Sequence, residues 1–110
     1  MVVATIKVLV PEDNLREMIQ TLRLLLSPIR KQKGCVGSNF YFEIGDENTL
    51  CLIEAWETQN DLENHLWSDE FDILLGAINL LKSPPEMEIK LLSPNAGIEA
   101  VAALRGAIDT

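Results

Sequence analysis

The chain is poor in the side chains that most catalytic chemistry relies on. Among its 110 residues there is one histidine, His65, one tyrosine, Tyr41, and two cysteines, Cys35 and Cys51. Zinc sites draw three or four nitrogen, sulfur or carboxylate ligands at recognisable spacing. No such spacing occurs, so no metal site is expected. Two scattered cysteines make no disulfide framework and are expected as thiols in a reducing compartment. No apolar run approaches the roughly 18–20 residues that cross a bilayer. The phosphate loops GxGxxG and GxxxxGK(S/T) and the GxSxG elbow are missing too.

Cations are also scarce. Nine Lys and Arg stand against 17 Asp and Glu, a net charge of −8. With no basic cluster beyond Arg30, Lys31 and Lys33, neither nucleic acid nor an anionic membrane is expected as a partner. Met1–Lys7 has no basic segment ahead of its apolar residues and reads as a strand rather than a signal peptide. The expected location is cytoplasmic.

What remains is ordinary globular composition, 47% hydrophobic and 24% charged, in a length that suits one domain. Residues 2–10 are β-branched and apolar, which predicts a strand covered on both faces. Pro11, Glu12 and Asp13 open a helix with acids where its dipole favours them. Leu15, Met18, Ile19, Leu22, Leu25, Leu26 and Ile29 form its apolar stripe. Pro28 predicts a kink or break there, and Gly34 a stop.

Residues 35–44 and 49–57 predict a hairpin joined by Gly45-Asp46-Glu47-Asn48. With Ile44 opposite Thr49, its two faces differ. Ser38, Phe40, Phe42, Cys51, Ile53 and Ala55 form an apolar face. Asn39, Tyr41, Glu43, Glu54 and Trp56, with Leu50 and Leu52, form a mixed one. Thr58 and Ser68 are expected to cap two short helices before Ser83-Pro84-Pro85. Met87, Ile89 and Leu91 then alternate with charged residues in a fourth strand.

The order β-α-β-β-α-β predicts an α+β, ferredoxin-like split β-α-β fold with an antiparallel four-stranded sheet over residues 1–93. Residues 94–110 form a tail, expected as a short helix on the domain or on a partner subunit. Two helices can cover only one face of the sheet. The second face, also rich in apolar residues, predicts a homodimer.

These residues resemble the antibiotic biosynthesis monooxygenase (ABM) family of dimeric α/β barrels. The matching features are Gly34-Cys35, Glu54-Ala55-Trp56, Leu62 with His65-Leu66, Ser68-Asp69 with Phe71, and Pro84-Pro85-Glu86, in that order. In the tail, Gly97-Ile98-Glu99 and Arg105-Gly106 are also similar. The resemblance implies a monooxygenase that needs no cofactor and oxidises a small aromatic quinol or polyketide-like phenol with O2. A deprotonated phenol is itself a reductant, so the protein has only to take a proton, hold the substrate and exclude water.

His65 and Glu54 are the candidate catalytic residues, as base or proton partner; their plain reading is a structural pair tying helix to sheet. Trp56, Asn39, Tyr41 and Phe71 are the candidate substrate-binding residues, and in their plain reading they are packing or interface residues. Two alternatives remain. One is a non-catalytic dimeric module that binds a small hydrophobic ligand. The other is haem degradation, which the resemblance disfavours because Leu75 stands where a haem-ligating histidine would be.

Overall fold

Every second residue of strand β1 (Val2–Leu9) is buried. Val2, Ala4, Ile6 and Val8 face inward, while Val3, Thr5 and Lys7 are only half-buried on the other side. A single chain therefore covers one face of this strand, not the two expected from its apolar composition. The computed structural model describes residues 1–81 and 86–91, without the side chains of Glu47 and residues 87–91. The tail expected over residues 94–110 and the boundary at residue 93 lie outside the described residues.

Helix α1 (Glu12–Arg30) carries Glu12 and Asp13 in its first turn and Arg30 in its last, complementing the macrodipole at both ends. Met18, Leu22, Leu25 and Ile29 recur at helical spacing and are buried. The break expected at Pro28 is not there; the helix runs on to Arg30. Proline forfeits its own N–H bond, and so near the end of the helix few further bonds depend on it. The Lys31 N–H closes the helix on the carbonyls of Ser27 and Pro28 at 3.2 and 3.3 Å.

Strands β2 (Cys35–Glu43) and β3 (Asp46–Trp56) form the hairpin, followed by α2 (Gln59–Leu66), α3 (Asp69–Asn79) and β4 (Glu86–Leu91). Both expected caps are formed. The Thr58 hydroxyl accepts from the Asp61 N–H at 3.1 Å, and the Ser68 hydroxyl from the Phe71 N–H at 3.2 Å. The sheet is antiparallel in the order β2-β3-β1-β4, the split β-α-β arrangement.

The hairpin differs from expectation at its tip, and the difference propagates. Glu43 pairs with Asp46, leaving Ile44 and Gly45 as the turn, with Gly45 at φ +88°. Farther along, Phe42 pairs with Leu50, Phe40 with Leu52 and Asn39 with Ile53. This is one residue away from the register expected with Ile44 opposite Thr49. A one-residue slip turns a strand over. Ser38, Phe40 and Phe42 thus share a face with Leu50, Leu52, Glu54 and Trp56, while Asn39, Tyr41 and Glu43 lie with Cys51, Ile53 and Ala55.

The core gathers Val2, Ile6 and Val8 of β1, Leu50, Leu52 and Trp56 of β3, and the buried residues of α1 and α3. Each fully buried aliphatic side chain contributes about 1.5–3 kcal/mol. Between sheet and helices, a cavity bounded by Ile6, Met18, Leu22, Leu50, Leu74 and Ile78 amounts to only about 10 Å³. The opposite face of the sheet has no layer over it among the described residues. It carries Lys7 paired with Glu43, and exposed Leu9, Tyr41 and Ile53.

Candidate functional site

Glu54 and Trp56 are two residues apart on β3 and so point to the same, helix-covered face. Helix α2 follows at once and lays His65 over them. Ser68 locks this arrangement. Its hydroxyl donates to the His65 carbonyl at 2.6 Å and accepts from the Phe71 N–H, so one side chain joins the end of α2 to the start of α3. His65 and Phe71 are thereby brought edge to face, with ring centroids 5.3 Å apart. On its other side the imidazole stacks on the Trp56 indole at 4.6 Å.

The charges are deeply buried. Glu54 is 3% exposed and His65 2%. His65 Nε2 lies 2.9 Å from Glu54 Oε2, at ion-pair distance but without the alignment of a linear hydrogen bond. The Trp56 indole N–H donates to the same oxygen at 3.3 Å. The other carboxylate oxygen, Glu54 Oε1, is buried with no hydrogen-bond partner among the described residues, and so is the hydroxyl of Ser38 directly across the strand pair. Buried polar atoms are rarely left this way.

Gln32 completes the cluster, a residue that its sequence context does not single out. It sits in the turn between α1 and β2, where its N–H bonds the Ile29 carbonyl at 3.0 Å and its carbonyl accepts from the Cys35 N–H at 3.1 Å. Its side-chain oxygen Oε1 is 2.7 Å from His65 Nδ1, and its Nε2 donates to Glu70 Oε2 at 3.1 Å. Gly34, at φ +81°, holds this turn against α2, since a Cβ there would overlap the Asp61 side chain. Burial pushes the Cys35 thiol up from its ordinary range, and the Glu54 charge adds to the effect.

A cleft of about 500 Å³ opens on the outer side of this cluster, bounded by Gln32, Lys33, Asp61, Asn64, His65 and Glu70. Trp67, 87% exposed, stands at its edge. The cleft reaches His65 from the α2–α3 side, not through the packed gap between sheet and helices. Among the described residues no group of three or more His, Cys, Asp or Glu side chains is placed to hold a metal ion, and no helix is long and apolar enough to cross a membrane.

The sequence profile of one family, described as antibiotic biosynthesis monooxygenase, matches residues 1–72. The chain belongs to the antibiotic biosynthesis monooxygenase family. An uncharacterised protein of Synechocystis is 26% identical to it over 81 residues, 73% of this chain and 55% of that protein. The chain thus spans about half the length of the curated relative it matches. A conserved protein of Methanosarcina mazei shares the fold with a TM-score of 0.79 at 22% identity, covering 84% of this chain and 92% of that one. A structure described as an antibiotic biosynthesis monooxygenase aligns with a TM-score of 0.77 at 17% identity, covering 86% and 100%.

Of the six side chains expected to form a site, this ABM chain brings four together: Glu54, Trp56, His65 and Phe71. Asn39 and Tyr41 are not among them. The register places both on the opposite face of the sheet, where Asn39 Oδ1 accepts from the Arg30 guanidinium at 2.8 Å and Tyr41 is exposed. The sheet itself separates them from the Glu54–His65 pair.

Proposed function

We propose that this chain is a cofactor-independent monooxygenase that oxidises a small aromatic quinol or polyketide-like phenol with O2. Membership of the ABM family supports the reaction class. The observation that carries the reading is a buried carboxylate, Glu54, with one oxygen hydrogen-bonded by Trp56 and at ion-pair distance from His65, and the other without a partner among the described residues. An oxygen with unused lone pairs in a dry, aromatic setting is suited to take a phenolic or enolic proton. The resulting anion passes one electron to O2, and the two radicals combine to a peroxide anion, which takes the proton back from Glu54. Loss of water then leaves one oxygen atom in the product. Trp56 and Phe71 exclude water from these steps.

Residues 1–93 form the working domain in this reading, and two copies meet through the uncovered sheet face. Exposed Leu9, Tyr41 and Ile53 support that interface. Two free thiols, Cys35 and Cys51, favour a cytoplasmic location. A second reading, a dimeric ligand-binding module without turnover, is favoured by the cleft of about 500 Å³, which reaches His65 but is not bounded by Glu54.

Aerobic and anaerobic incubation with menadiol or an anthrone separates the two. The monooxygenase reading expects O2 uptake that depends on the protein and is lost in His65→Ala. Uptake at the background rate, or an unimpaired His65→Ala, overturns it.

A further inference from the structure

We propose that Gln32 is a positioning residue that keeps a proton on His65 Nδ1, so that Nε2 faces Glu54 Oε2 as an ion-pair partner and Glu54 Oε1 is left as the acceptor for the substrate. The proposal rests on the reading of Glu54 and His65 as the proton-handling pair.

The orientation of the Gln32 amide is decided by Glu70. An ionised carboxylate only accepts, so the amide must turn its NH2 toward Glu70 Oε2, 3.1 Å away. Its oxygen then faces His65 Nδ1 at 2.7 Å. An amide oxygen also only accepts, so Nδ1 must carry hydrogen. With Nδ1 protonated, a neutral ring would present the bare lone pair of Nε2 to Glu54 Oε2 at 2.9 Å. Two acceptors at that distance repel; a proton between them turns repulsion into an ion pair.

The Trp56 N–H donates to the same carboxylate oxygen, Oε2, at 3.3 Å, and the Trp56 indole lies stacked on the imidazole at 4.6 Å. Glu54 then meets the substrate through Oε1, the oxygen that no other described residue engages. Without Gln32, His65 can hold a single proton on Nε2, donate it to Glu54 and leave Nδ1 bare.

The charged and titratable groups around the ring come from every neighbouring element. Glu54 reaches it from β3, Glu70 from α3 through Gln32, and Asp61 lies one turn earlier on α2. Lys33 borders the same cleft, and the Cys35 thiol of β2 is coupled to Glu54.

The chain has one histidine, so an 15N-histidine-labelled sample shows a single imidazole. Long-range proton–nitrogen correlation spectra of the free protein, near neutral pH, are expected to show a protonated Nδ1. In Gln32→Leu, Nδ1 is expected to become bare; in Gln32→Glu, which keeps an acceptor oxygen there, it stays protonated. With menadiol, kcat of Gln32→Leu is expected to fall on the order of tenfold at nearly constant KM. A bare Nδ1 in the wild type, or an unchanged Nδ1 in Gln32→Leu, overturns the proposal. If Gln32→Leu does not fold, Gln32→Met, which also lacks the acceptor oxygen, decides it by the same spectra. The spectra need no substrate, so failure of turnover and failure of the Gln32 assignment are separate results.

Discussion

Ser38 and Glu54 oppose each other across β2 and β3, and each keeps a buried oxygen without a hydrogen-bond partner among the described residues. The pair sits on the helix-covered face, where neighbouring positions are filled by Phe40 and Leu52. An unpartnered buried hydroxyl costs about 1–3 kcal/mol relative to an apolar group of the same size. Ser38→Ala is therefore expected to leave stability unchanged or raise it by about 1 kcal/mol. Urea denaturation checks this. A clear loss of stability would mean that Ser38 already has a partner.

Gly34 is needed for two independent reasons. Its φ of +81° is disfavoured for any residue with a Cβ, by about 1–2 kcal/mol. A Cβ would also overlap the Asp61 side chain of α2. Gly34→Ala is expected to cost at least about 2 kcal/mol, in the range of mutations that strain a special backbone position. Because Gln32 is two residues away in the same turn, the mutation should also disturb the His65 ring signals. A denaturation midpoint within error of the wild type would contradict this account of the turn.

Cys35 reports on the charge of Glu54. Burial raises its thiol first, and the Glu54 carboxylate adds to the shift. A raised thiol is less ionised, so at pH 8 iodoacetamide should label Cys35 several-fold more slowly than an unperturbed thiol. The unfolded chain ionises this thiol at lower pH than the folded one. The associated stability is present below the ordinary thiol range and declines as pH rises through it toward the folded value. In a Cys51→Ser background, Glu54→Gln is expected to speed labelling of Cys35. Equal rates in the two proteins would argue that Glu54 carries no charge.

Much of the fold was legible in the sequence because its signals are local. The helical spacing of Met18, Leu22, Leu25 and Ile29, and the caps at Thr58 and Ser68, depend on neighbours within a turn or two. The hairpin register is not local in this sense. Asp46, Glu47 and Asn48 look like turn residues, yet the chain turns at Ile44 and Gly45 and takes up the surplus within β3. There Asp46 holds the Asn48 N–H at 3.3 Å and the Thr49 hydroxyl at 2.6 Å.

Polarity could not correct the error, because the two faces are inverted at the site. The charged Glu54 is buried beneath α2, while the apolar Ile53 is exposed on the open face. Asn39 and Tyr41 were assigned to the wrong side for that reason. Gln32 was missed for another: between Lys31 and Lys33 it reads as one more solvated loop residue. Only the folded chain shows that Gly34 brings this turn against α2 and within reach of His65.

The most direct test is the rate of O2 uptake with an anthrone by Glu54→Gln beside the wild type. The amide keeps the size of the side chain and an oxygen for the Trp56 N–H but is a far weaker base. The account expects stable protein in both cases and a kcat lower by about 10²-fold or more in the variant. Equal rates, or no uptake above background by the wild type, would contradict it.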